Sequence, residues 1–383
     1  MSKFEMIGKL SLIKDTDKRK CFENIVFKAG ERKKDGTKIK DDFIMRKLRM
    51  SIKCEKDNFN IDINGILFGS ESSAVVKVQK KKPEGGYEAI TFKYKDREKH
   101  VEEVAEFNKY VFVNKEERHE FVTQYDYAKF MYDLLQSGEL DDKVVKVVGD
   151  IVYIDYTNPN TGETKTYTNY EANRIYIVKD DAPRVATSNM TLLIGEDAIS
   201  DDELEETGVF KVSGYETVYV SREQPNKGVF KVLEYPLGID DKEKMHKKFE
   251  IIKRLLRVED CELAKIGFKV NLINRTEEVE FDESMLTDEE KEYIEFGIMS
   301  LDDFKQQYGK GKGSFVSKLE IQNINPTYRQ GAIPTELTLA DILSVPEKKE
   351  ELTGGLVEVD MGDDDLGLFG DDDDPFGDGD IPF

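Results

Sequence analysis

The chain has 383 residues, 38% hydrophobic and 36% charged, enough for two or three domains with cores of their own and much exposed surface. Three cysteines without a CxxC pair and three histidines build neither a disulfide framework nor a zinc site, and no apolar run suits a signal peptide or a membrane span, so a soluble, cytoplasmic protein is expected. The net charge of -22 argues against a nucleic-acid ligand only until its distribution is read: residues 1–120 hold 28 basic against 22 acidic side chains, and residues 346–383 hold 2 against 14.

The first 120 residues read as strands. Runs at Ile7–Ile13, Phe22–Phe27, Phe43–Cys54, Phe59–Phe68 and Ala74–Val78 are separated by turn chemistry at Asp35-Gly36, Asn64-Gly65 and Glu84-Gly85-Gly86. Between Arg46 and Lys53, Lys47, Arg49 and Ser51 alternate with Leu48, Met50 and Ile52, which predicts a basic stripe on the outer face of a half-buried strand. Gln124–Gly138 has apolar residues at helical spacing and a glycine where a C-terminal cap sits. Val144–Tyr156 and Lys165–Val178 then form the strongest hairpin signal of the chain, around the Asn158–Gly162 turn. Further strands are predicted at Met190–Ile194, Val209–Ser221, Gly228–Tyr235, Ile266–Ile273 and Phe315–Ile324, with an acidic loop at Asp201–Glu206. Lys242–Arg257 is a second amphipathic helix, Thr287-Asp288-Glu289-Glu290 a capping box opening a third, and Leu339–Leu343 a last short one. Short strands in hairpins with a helix between groups fit a mainly β chain with a few helices, built as small barrels.

Gripping single-stranded nucleic acid takes cations along the phosphates and aromatic faces under the bases. Lys28, Arg32, Lys33, Lys34, Lys38 and Lys40 cluster in a loop, with Arg46, Lys47, Arg49 and Lys53 on the strand after it. Tyr94 is a candidate stacking platform beside them. The tyrosine hairpin is a second candidate surface, with Tyr153, Tyr167 and Tyr176 on one face and Arg174 nearby. Structure competes with function for these residues, since single lysines are usually solvated and strands favour tyrosine. No phosphate loop, nucleophile elbow, HExxH or dinucleotide fingerprint is present, so neither an enzyme nor a cofactor is expected.

The last residues carry the sharpest signal. Asp371–Asp374 and Asp378 lead into Asp380, Ile381, Pro382 and Phe383, an acidic arm that ends on an aromatic bearing the terminal carboxylate. This end resembles the C-terminal tip of bacterial and phage single-stranded-DNA-binding proteins. The resemblance implies tandem oligonucleotide/oligosaccharide-binding (OB) barrels followed by a disordered acidic tail. It also implies a role in DNA replication, recombination and repair, with the tip recruiting polymerase, helicase or primase. The chain departs from the bacterial pattern in its length, its lack of tryptophan and the absence of a long Gly/Pro-rich linker, which points to a bacteriophage form. The expected division is a basic OB-like unit at 1–120, a second OB-like region with inserted helices at 121–345 and the tail at 346–383. The alternative is an acidic adaptor or DNA mimic that binds replication proteins and no DNA.

Overall fold

In the computed structural model, residues 2–330 are described except for 18, 32–37, 116, 158–160, 219–226, 259–263, 278–285, 302–303 and 305–313. The Leu339–Leu343 helix and the acidic tail lie outside the described residues.

Alternation of apolar and polar side chains makes the strands, and their pairing makes two barrels. The first part of the chain contains β1 (Lys3–Leu12), β2 (Phe22–Phe27), β3 (Phe43–Cys54), β4 (Asp57–Phe68), the separate hairpin β5–β6 (Val75–Lys81, Tyr87–Lys93), β7 (Tyr110–Val113) and β8 (Arg118–Phe121). Helix α1 (Gln124–Gln136) and the long hairpin β9–β10 (Val145–Thr157, Thr164–Ile177) follow. Strand β1 pairs with β3 through Lys9–Leu12, β3 with β4, β4 with β10 in parallel at Asp62 and Glu171, β10 with β9, and β9 returns to β1 through Lys3–Gly8. That closed circuit, with a helix between its third and fourth strands, is the OB topology. At Gly8 strand β1 changes partner, and a Cβ there would sit 2.3 Å from the carbonyl oxygen of Lys53, so the corner admits only glycine. The Thr123 hydroxyl accepts from the Asp126 amide and caps α1.

The circuit repeats with new strands. Strand β11 (Ala186–Ile194) is followed by the short β12 (Ile199–Ser200), helix α2 (Leu204–Thr207), β13 (Val209–Val218), β14 (Lys227–Pro236) and helix α3 (Lys242–Leu256). Then come β15 (Ala264–Glu277), helix α4 (Asp288–Glu295) and β16 (Ser314–Gln330). Strand β11 pairs with β13, β13 with β14, β14 with β16 in parallel, β16 with β15, and β15 with β11. The tandem OB-like, mainly β architecture expected from the sequence is therefore present.

The division expected near residue 120 is corrected. The first circuit cannot close without β9 and β10, so the first barrel runs to Ile177 and contains α1 and the tyrosine hairpin. The acidic loop expected at Asp201–Glu206 also holds the short helix α2.

The barrels share one continuous sheet. Strand β1 pairs with β11, from Lys3 opposite Asn189 to Met6 opposite Ala186. Further contacts lock them. The Asn274 amide donates to Asp57 Oδ1 at 2.9 Å, and its side chain donates to the Asn58 carbonyl at 2.6 Å. The outer arm of the β9–β10 hairpin reaches the second barrel, where Lys227 pairs with Asp155. One apolar core extends through both interiors, from Leu48, Met50, Ile61 and Val147 to Val212, Leu233, Phe268 and Val270.

Candidate nucleic-acid interface

The basic stripe expected on β3 is not an outer surface. Lys47, Arg49, Ser51 and Lys53 do share one face, opposite Asn64, Asp62, Asn60 and Asn58 of β4. Yet Lys47 is 6% and Arg49 4% exposed. The Arg49 guanidinium lies 2.6 Å from Glu23 of β2 and donates to the Lys20 carbonyl at 2.5 Å, while Lys47 Nζ stands 3.9 Å from Asp62. Strand β2 pairs edge to edge with β3 and sets Glu23 opposite Lys47 on this face, and the Lys20 carbonyl meets Arg49 there, so these two cations serve structure. Because Arg49 is buried, Arg49→Ala should lower stability by about 3 kcal/mol by stranding Glu23, measured by chemical denaturation. An unchanged midpoint would show the pair to be dispensable.

The other expected residues divide. Arg46 points to the opposite side, its guanidinium 3.6 Å over the Tyr125 ring and bonded to the Tyr125 carbonyl and Asn24. Lys28 pairs with Asp42 at 3.2 Å. Lys38, Lys40 and Lys53 are exposed and have no ion pair among the described residues. Arg32, Lys33 and Lys34, like the tip Asp380, Ile381, Pro382 and Phe383, lie outside the described residues. Tyr94 is buried rather than available for stacking: its hydroxyl donates to Asp126 at 2.5 Å, Arg97 covers its ring, and burial raises its pKa.

The tyrosine hairpin does not present one face. Tyr153 is opposite Thr168 and Tyr167 opposite Ile154, and directly opposed residues point to the same side, so Tyr153 and Tyr167 point to opposite sides. A register shift between Ala172 and Arg174 then resets the pleat, placing Arg174 opposite Val148 and Tyr176 opposite Lys146. Tyr167 is half-buried. Arg174 and Tyr176 do come together, in a groove of about 620 Å³ shared with Lys3, Tyr110 and Lys146. The Arg174 guanidinium there donates to the Glu106 carbonyl at 2.7 Å.

Tyr153 instead joins the barrels. Its hydroxyl donates to Glu216 Oε2 at 2.5 Å, and Lys231 Nζ lies 4.1 Å from the centre of its ring. Glu216 is 3% exposed, and its other carboxylate oxygen has no hydrogen-bond partner among the described residues. Burial pushes the Lys231 pKa down to about 8, against the attraction of Glu216. Tyr153→Phe removes the hydroxyl donated to this buried carboxylate and should cost about 2 kcal/mol. Equilibrium denaturation measures it, and a loss below about 0.5 kcal/mol would mean the contact does not hold the barrels.

Two surfaces escaped sequence reading. On the outer face of β13 and β14, Tyr215 lies opposite Phe230 with ring centroids 5.3 Å apart and planes at 61°. Phe230 is 52% exposed. The pleat gave the signal, because Phe210 and Val212 point inward and Tyr215 is therefore outward. The second surface is a row crossing the barrel junction: Lys3 faces Asn189, Asn189 faces Lys269, and Lys269 faces Asn323. All four are exposed. No reading of one strand shows this row, since it is made by four.

No family model matches the chain, and no curated protein matches it in sequence. Among solved structures it is similar to a deletion mutant of the single-stranded DNA binding protein from Thermus aquaticus, with a TM-score of 0.32, 10% identity, and 88% of this chain and 98% of that chain covered. It is likewise similar to the wild-type protein from Thermus aquaticus, with a TM-score of 0.31, 9% identity, and 88% and 97% covered. The assignment of both barrels rests on their strand pairings, not on this likeness.

Proposed function

We propose that this chain binds single-stranded DNA without sequence preference, coating it during replication, recombination and repair, and that it is a bacteriophage form. One observation carries the reading: two OB circuits stand in one chain, and the second exposes Phe230 beside Tyr215 on the outer face of its second and third strands. Bases of any sequence can stack on such rings, since every base has a π-face. Phosphates have cations to follow at Lys3 and Lys269, at the exposed Lys38, Lys40 and Lys53, and in the Arg32–Lys34 segment. The acidic end, Asp380 to Phe383, is proposed to recruit replication enzymes by offering an aromatic and a carboxylate to a pocket with a basic rim. Ultraviolet crosslinking of a 5-iodouracil-substituted oligonucleotide, read by peptide mass spectrometry, tests the surface. Labelling of Tyr215 or Phe230 is expected, and crosslinks that avoid both rings would overturn the assignment.

A further inference from the structure

Two helices of the second barrel carry exposed faces of opposite charge, each with apolar residues at its centre. On α3, Met245, Phe249, Ile252 and Leu256 point into the core. The opposite face sets Lys244, Lys247, Ile251, Arg254 and Leu255 at helical spacing, all exposed, with Ile251 at 52%. Residues Lys242–Arg257 hold seven Lys or Arg against two Glu. Helix α4 is the reverse. It begins at a capping box on Thr287 and lines up Glu289, Glu292, Tyr293 and Phe296 on one face, with Phe296 at 74% exposure and Ile298 following. Residues Asp288–Ile298 hold five acidic side chains against one lysine. Exposed apolar side chains clustered within a charged rim mark an interaction surface.

The register sets the strand ends that lead into the α4 segment away from α3 within one molecule. Strands β14 and β16 run parallel with Glu234 opposite Glu320, so Ser314, six residues before Glu320, is level with Gly228, six before Glu234. Ser314 pairs with Glu277, and α4 belongs to the segment between them. Helix α3 packs at the other end, where Phe249 meets Phe210 with centroids 5.1 Å apart and Lys248 lies 5.8 Å from the Tyr235 ring. From the level of Gly228 to Tyr235 is seven residues, roughly 23 Å along the strand.

We infer that the occupant of each face is a second copy of this chain: the acidic aromatic face of α4 docks on the basic apolar face of α3 in the next molecule. Opposite charges select the orientation, and the apolar centres supply the burial. Because different patches meet, a single α4–α3 contact leaves one face of each copy open to a further one, and the inferred assembly is an open head-to-tail row rather than a reciprocal dimer. The inference holds whatever the barrels bind.

Sedimentation velocity of the full chain at low salt and rising concentration tests it. The expected result is a weight-average sedimentation coefficient that climbs without a plateau and falls back when salt is added. Phe296→Asp and Ile251→Asp should each reduce association at least tenfold, with circular dichroism and thermal unfolding unchanged because both side chains are exposed. Mixed in equal amounts, the two variants should recover dimers and stop there, since each retains one intact face. The reversals Lys247→Glu and Glu292→Lys should each weaken association alone and restore it together. A wild type that stays monomeric, or that plateaus at a dimer, would overturn the inference. So would association lost with Phe296→Asp but kept with Ile251→Asp. Loss with Ile251→Asp alone would give α3 a different occupant, such as the chain's own acidic end, and the inference would fail.

Discussion

Replacing Gly149 with alanine is expected to destabilise the first barrel by about 3 kcal/mol or more. Gly149 of β9 lies between Phe4 of β1 and Ala172 of β10. A Cβ there would stand 1.9 Å from the Glu171 carbonyl oxygen and 2.7 Å from the Phe4 ring. The ring could turn aside, but the carbonyl is backbone in the β9–β10 ladder, so relief means breaking strand pairing. Because β9 closes the circuit between β10 and β1, the damage is not local. Thermal and denaturant unfolding measure the loss. A variant with an unchanged midpoint would show that the two strands do not approach this closely.

The second large effect is on binding. Tyr215→Ala with Phe230→Ala should weaken affinity for a poly-dT oligonucleotide about a hundredfold, at roughly 1–3 kcal/mol per stacked base. Phe230→Ala alone should account for about tenfold. Both rings point away from the core, so stability should change little, and equilibrium titration beside thermal unfolding separates the two readouts. Loss of stability without loss of affinity would make the pair structural.

Local pattern carried much of the fold. The expected strand Phe43–Cys54 coincides with β3, the helix expected from Gln124 forms α1, and the capping box at Thr287 opens α4 with both of its hydrogen bonds made. These features depend on neighbours within a few residues. What the sequence did not reveal depends on distant pairing. The first barrel closes only when β9 pairs with β1, across about 140 residues of chain, and nothing near residue 120 signals that the unit is still open. Period two places Lys47 and Arg49 on one face, but it cannot tell that β2 would pair beside β3 and bring Glu23 to Arg49. Likewise Tyr153, Tyr167 and Tyr176 were grouped by counting along the hairpin, whereas cross-strand register sets Tyr153 against Tyr167 and an irregularity at Ala172/Arg174 resets the pleat. The exposed pair Tyr215 and Phe230 was within reach, since the inward parity of Phe210 and Val212 fixes it.

The tandem barrels are proposed to bind single strands. Fluorescence anisotropy of labelled poly-dT, titrated with the full chain at low and moderate salt with matched duplex as competitor, tests it most directly. The expected result is binding that duplex does not displace and that weakens as salt rises, as cations release the counterions of the phosphates. Absence of binding at low salt would contradict it and leave an acidic adaptor that meets the replication machinery only through protein.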